Sequence, residues 1–223
     1  MFSLMSILGC TFCQSDGIST TNEAIIDPNR YDDIKGSPYV FKNWLSADLI
    51  GKDKTVFNDL VVNLNGYSRE FEIKRDNDKF IRLDEKWYSI IKIKRSSNPG
   101  LFEADWPEEL IFYQGVHPRF GKRFVQALYQ GKIFWLIKDS QMGLSEKEVN
   151  NVGKKVIFKR FVPKKYYYYK AGDKISSFSL KKKDILKLCA DKKGNIEKLV
   201  KEKGLKYGSE ADVITIFKFY EGN

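Results

Sequence analysis

Residues 55–95 read TVFNDLVVNLNGYSREFEIKRDNDKFIRLDEKWYSIIKIKR. Runs rich in β-branched and aromatic residues follow one another here: Val56-Phe57 with Leu60 to Leu64, Arg69 to Ile73, Phe80 to Leu83, and Trp87 to Lys94. Phe71 and Ile73 alternate with Glu70 and Glu72, and Ile91 and Ile93 with Lys92 and Lys94. A period of two marks a strand with one face in a core and one in water. Asn65-Gly66 is a strong hairpin signal, because both residues tolerate positive φ. Asp76-Asn77-Asp78 and Asp84-Glu85 supply the next turns. The stretch predicts an antiparallel meander, either open or partly closed as a barrel.

Working toward the C-terminus, Ser96-Ser97-Asn98-Pro99-Gly100 is a loop, and Trp106-Pro107 breaks any helix. Leu110 to Gln114 reads as a further strand. Residues 123–129 and 133–138 read as a hairpin around Gln130-Gly131, with Phe134-Trp135-Leu136-Ile137 buried on both faces. Residues 140–152 are polar and predict a loop or a short helix at 145–148. Residues 156–161 and 166–169 predict a strand pair joined through Pro163-Lys164-Lys165. Tyr166, Tyr167, Tyr168 and Tyr169 suggest stacking on bases or sugars. In a strand, however, only two of them share a face, so cross-strand aromatic packing is the preferred reading. Ala171-Gly172-Asp173-Lys174 turns the chain into a strand at 175–178.

After Ser179 the period becomes helical. Ser179 is read as a cap, with Leu180, Ile185, Leu186 and Leu188 as an apolar stripe. A second helix starts near Asn195 and stops at Gly204. Ser209-Glu210-Ala211-Asp212 resembles a capping box, followed by Val213, Ile216, Phe217 and Tyr220 on one face. Three short helices cannot form a rich core alone, so they are expected to pack on the end of the sheet. The fold class is therefore mainly β (α+β), with an antiparallel β domain at 31–178 and a helical segment at 179–223.

Composition supports this. The chain has 223 residues, 42% hydrophobic and 14% aromatic, enough for a real core. Its net charge of +10 is uneven: residues 1–149 hold 20 basic and 21 acidic side chains, whereas 150–206 hold 18 and 5. This asymmetry raises an anionic partner such as nucleic acid, an acidic polysaccharide or lipid head groups. The plainer reading is a solvated surface, since Lys outnumbers Arg there and bidentate phosphate recognition favours Arg.

At the other end, residues 1–14 (MFSLMSILGCTFCQ) are uncharged and mostly apolar. The run is too short for a spanning helix of about 20 residues. It fits the apolar region of a secretory signal, although a basic leader is missing. Ile7-Leu8-Gly9-Cys10 also has the outline of a lipobox, which would make Cys10 a lipidated residue, but Leu8 stands where a small residue is usual. A lipid anchor is therefore not the favoured reading. Residues 15–30 form a polar linker. With the leader removed, Cys189 alone remains, a packed thiol without a disulfide partner. Cys10 and Cys13 have zinc-like spacing, but no second pair follows.

Gly36-Ser37-Pro38-Tyr39 with Trp44, followed by VVNLNGYSREFEI at 61–73, resembles a group of uncharacterised exported β-rich proteins of Bacteroidetes-type bacteria. These share a G-S-P-Y-aromatic opening motif and an N-x-Y…E-aromatic-E hairpin. The resemblance implies an exported protein with a β-rich body and a helical end. It carries no activity and no site residues.

Catalytic patterns are not found: there is no G-x-S-x-G, P-loop, G-x-G-x-x-G or H-E-x-x-H. Adjacent carboxylates such as Glu108-Glu109 point to opposite faces on a strand. The one site-like stretch is His117 to Arg123, where Arg119, Lys122 and Arg123 could capture an anion, and where His117 reads first as a turn residue. Lys181, Lys182 and Lys183 are a second candidate set. The expected function is an exported, non-enzymatic, β-rich binding or envelope module, periplasmic or cell-surface, without a cofactor or metal. The alternative is an anion-binding module using residues 150–206. An anionic polymer or another envelope protein is the expected class of partner.

Overall fold

The computed structural model describes residues 25–75, 79–151 and 154–222, with backbone alone at Asn151 and Lys154. The signal-like run, Cys10, most of the 15–30 linker and the Asp76-Asn77-Asp78 turn lie outside the described residues.

The strands are β1 (Ile25–Ile26), β2 (Ile34–Lys35), β3 (Leu45–Gly51), β4 (Val56–Asn65), β5 (Glu70–Lys74), β6 (Phe80–Arg82), β7 (Tyr88–Lys94), β8 (Glu109–Gln114), β9 (Phe124–Gln130), β10 (Phe134–Asn151), β11 (Lys154–Ala171) and β12 (Lys174–Phe178). They form a single sheet in the order β1-β6-β5-β4-β3-β7-β8-β9-β10-β11-β12, with β2 added to β11. Every pairing is antiparallel except that of β2 with β11. The sheet is mainly antiparallel and open. It consists of two meanders that share β3, because β7 pairs with the far edge of β3 rather than with β6.

The sheet is strongly curled. Only residues 83–87 link β6 to β7, although four ladder steps separate the two strands. Neighbouring strands lie ~4.8 Å apart, so so short a turning link requires the flanks to approach each other. The tip of the β4–β5 hairpin also reaches β10, where the Met142 N–H donates to the Gly66 carbonyl at 2.8 Å. A Cβ on Gly66 would lie 2.8 Å from the Met142 nitrogen, so this contact requires glycine. Positive φ is not the reason, as the hairpin turn differs from the expected one. Arg69 is the left-handed residue (φ 65°), and Asn65 Oδ1 accepts the Tyr67 and Ser68 N–H groups.

Inside the curl, Leu49, Val62, Ile91 and Ile93 are fully buried around an aromatic centre in which Phe71 meets Phe112 and Phe124 edge-on. β3 alternates buried and half-buried residues along its whole length, as a one-sided strand should. β5 does not. Its three central residues are all buried, including Glu72, which the alternation places in water.

The second departure concerns the region after Ile137. Residues 140–151 are strand, neither loop nor helix, and 156–161 and 166–169 do not pair with each other. β10 and β11 are 18 residues each and form one continuous, bulge-free ribbon from Phe134↔Ala171 to Asn151↔Lys154. Pro163 sits within it opposite Met142. Since the Met142 N–H points outward to Gly66, this is a pair without mutual hydrogen bonds, and the proline nitrogen also faces outward. No ladder bond is lost, which is how a proline fits inside a strand.

The helices are α1 (Lys182–Leu188), α2 (Lys193–Lys203) and α3 (Glu210–Glu221). Ile185, Cys189, Ile196, Ile216 and Phe217 bury against Phe134 and Leu136 at the base of the ribbon, so the helices do pack on the end of the sheet. Gly204 closes α2 in the left-handed conformation (φ 63°), and Ser209 Oγ accepts the Asp212 N–H at 3.3 Å to cap α3. Ser179 does not cap α1. It lies two residues before the cap position and instead donates its N–H and hydroxyl to Asp184 Oδ2, at 3.1 and 2.6 Å.

Candidate functional site

Directly opposite residues in an antiparallel pair share a face, so the register assigns every ribbon side chain. One face carries Phe134, Leu136, Lys138 and Ser140 with Tyr169, Tyr167 and Lys165, and it meets the helices. The other carries Ile137 and Asp139 with Tyr168 and Tyr166.

A pocket of about 460 Å³ opens on the helical side, between the 99–107 loop (Glu103, Trp106), the sheet (Phe112, Ser140) and the first turn of α3 (Glu210, Ala211). Its size lies in the range for small-molecule sites. The charged centre is Glu210, whose Oε2 accepts from Lys138 Nζ at 2.8 Å and whose Oε1 accepts from the Tyr167 hydroxyl at 2.7 Å. Burial works against the Glu210 charge, but the Lys138 ammonium and both hydrogen bonds outweigh it and hold the carboxyl below its usual range. Burial, then the bond to Glu210, pushes the Tyr167 hydroxyl well up. Glu210 stays ionised and Tyr167 stays protonated at neutral pH, so each holds the other's geometry and neither is poised to take or give a proton.

A second polar cluster joins the opening motif to the hairpin. Glu72 is 2% exposed. It accepts from Arg30 Nη2 at 2.6 Å, Tyr39 Oη at 2.7 Å and Asn65 Nδ2 at 2.8 Å. The Gly66 N–H donates to the Pro38 carbonyl at 2.8 Å. The two motifs that carry the resemblance therefore meet in space as one clasp, which covers the polar face of β5. Burial, reinforced by Glu72, pushes the Tyr39 hydroxyl up to about 12.

The expected cation sets are dispersed. Arg123 donates to the Phe120 carbonyl at 2.9 Å and to Asp139 at 3.4 Å. Arg119 lies over the Tyr168 ring, 5.1 Å from its centroid. Lys122 is exposed. His117 is a turn residue: its Nδ1 accepts the Arg119 N–H at 3.1 Å, which leaves Nε2 protonated to donate to the Asp173 carbonyl at 3.3 Å. Lys182 is paired with Glu197 at 2.9 Å, while Lys181 and Lys183 are exposed. His117 contacts the residue just before β12, and Lys181 lies just beyond its other end. A five-residue strand of ~17 Å thus separates the two sets.

Of the tyrosines, Tyr168 is buried on Phe120, Tyr169 stacks on Phe134 and Tyr167 packs against Phe178, directly across from it in β12. Only Tyr166 is exposed. Cross-strand packing thus accounts for Tyr167 and Tyr169, while Tyr168 packs on the 118–120 turn. Cys189 is fully buried, and burial followed by the Asp191 charge pushes its thiol up to about 12, which makes it unreactive.

Among the described residues, no group of three or more His, Cys, Asp and Glu side chains is placed to hold a metal ion. Likewise no described helix is long and apolar enough to cross a membrane. Comparison with family models, with characterised proteins and with solved structures gives no match.

Proposed function

We propose that the chain is an exported, non-enzymatic binding module of the cell envelope. The carrying observation is the state of the pocket: its central charged group, Glu210, is engaged by Lys138 and Tyr167, which suits holding a ligand rather than turning one over. The apolar, uncharged run at residues 1–14 and the resemblance of the G-S-P-Y and hairpin motifs support export.

A second reading, binding to an anionic partner, is favoured by where the fold displays the cations of residues 150–206. Arg160 and Lys164 stand exposed on a face of β11 whose outer part carries no carboxylate, whereas the exposed lysines of the helical end lie among acidic side chains, Lys182 beside Glu197 and Lys198 beside Glu202. The ribbon rather than the helical end is then the anion-seeking part. Salt-gradient elution from a heparin column tests this on the full chain. Arg160→Gln with Lys164→Gln is expected to elute at clearly lower salt, and Lys181→Ala with Lys182→Ala and Lys183→Ala close to the parent. The reverse order overturns the ribbon assignment. Cell fractionation with intact mass tests export: protein that retains Met1 and stays in the cytosol overturns it.

A further inference from the structure

Beyond its base, the ribbon carries a surface that the fold does not use. On the face of β11 turned away from the helices stand Val156, Phe158, Arg160, Val162, Lys164 and Tyr166, which alternate along the strand and are all exposed. Lys147 and Val149 of β10 share this face. Past Tyr166 it holds no carboxylate, since Glu146 and Glu148 pair with Lys159 and Ile157 on the opposite face. Exposures of 41% at Phe158 and 59% at Ile157 place large apolar groups in water on both faces near the tip. Among the described residues, β2 is the outermost strand paired to the ribbon, and it ends at Lys159↔Ile34. Among the described residues, the five residues of each strand beyond that point pair only with each other over ~17 Å, and a two-stranded arm is marginal by itself in water.

We infer that this arm docks on the surface of an anionic lipid bilayer, with Val156, Phe158 and Ile157 in the interfacial layer and Lys147, Arg160 and Lys164 against the head groups. This rests on the anion-seeking reading above and names its partner. Three features favour a lipid surface. Apolar groups on both faces of a narrow arm suit a fluid medium that wraps it, whereas a protein groove covers one side. Residues 145–160 hold five basic and two acidic side chains, so two arms side by side repel each other, which disfavours a second copy. The exposed rings of Phe158 and Tyr166 are eight residues apart, ~27 Å along the strand, too far to stack successive bases or sugars. The arm's unpaired edges also limit how far it enters: backbone groups without partners are excluded from the hydrocarbon, so it lies in the interface and does not span.

The test is co-sedimentation of the full chain with vesicles of phosphatidylcholine, alone or mixed with phosphatidylglycerol, at low and high salt. Binding is expected to the mixed vesicles only, and to weaken with salt. Val156→Ser with Phe158→Ser is expected to lower the partition coefficient about tenfold or more at an unchanged circular dichroism spectrum. Lys147→Gln with Arg160→Gln is expected to cost about fivefold per cation removed, at low salt only. Equal binding to neutral vesicles overturns the inference, as does binding that survives the apolar pair. A parent chain that dimerises through this face, or that retains a single-stranded oligonucleotide but not vesicles, also overturns it. If heparin retention still follows Arg160 and Lys164 while vesicles fail, the lipid partner alone is wrong. If both fail, the anion-seeking reading falls as well.

Discussion

Glu72 and Arg160 both occupy the polar phase of an alternating strand, and the fold treats them in opposite ways. Glu72 is covered by the chain's own opening segment and receives three hydrogen bonds, from Arg30, Tyr39 and Asn65. Arg160 remains in water, in a row where each cation is flanked by an exposed apolar side chain. A buried charge survives only when paired and hydrogen-bonded, so the first cluster is explained by stability alone. The second row contributes little to stability, because exposed apolar groups gain nothing until something covers them. The contrast separates the residues that hold the molecule together from those available to a partner.

Substitutions can break or sharpen this contrast. The largest effect is expected at the aromatic centre on the other face of β5. Phe71 is 1% exposed between Phe112 and Phe124, and Phe71→Ala should lower the unfolding free energy by ~3–5 kcal/mol in urea titration. A loss under ~1 kcal/mol would mean that the curled body is not the cooperative core.

The clasp comes next. Tyr39→Phe removes the 2.7 Å bond to Glu72 and should cost ~1–2 kcal/mol at neutral pH. Its pH dependence has a definite sign. The folded hydroxyl titrates at about 12 against an ordinary value of 10.0, so the folded state retains the proton longer. That contribution is present below pH 10 and is lost as the pH climbs through the folded value. The difference between parent and Tyr39→Phe should therefore shrink on going from neutral pH to pH 12. A difference that stays constant would show that Tyr39 is not held by Glu72.

The smallest effect is expected on the ribbon. Phe158→Ser should change unfolding free energy by no more than ~0.5 kcal/mol, because the ring is 41% exposed and its contact with Lys35, at 5.2 Å, is a surface contact. A loss above ~1 kcal/mol would move Phe158 into the structural class with Phe71.

Much of the fold was legible because it obeys simple periods. β7, β8 and the helix boundaries at Ser209 and Gly204 follow alternation and capping chemistry that depend on neighbouring residues only. Glu72 was misplaced because alternation assumes that one face meets water, and here a segment over 30 residues away covers it. The ribbon was missed for the opposite reason. Beyond the body both of its faces are solvated, so residues 140–151 show no alternation although their backbone is a strand. The pocket depends on Lys138, Tyr167 and Glu210, separated by up to 72 residues, and only the ribbon register and the capped start of α3 bring them together. Arg119 and Arg123 looked like a site because cations cluster in the sequence. Their guanidinium groups are instead used on Tyr168, the Phe120 carbonyl and Asp139.

The parallel pairing of Ile34–Lys35 with β11 has a consequence for the order of assembly. Its companion ion pair, Asp33 to Lys159, joins residues 126 positions apart. During synthesis Asp33 and Ile34 therefore cannot dock until Lys159 has been made. The early meanders must nucleate without that strap, and its attachment is a late, slow-closing step that locks a body already formed.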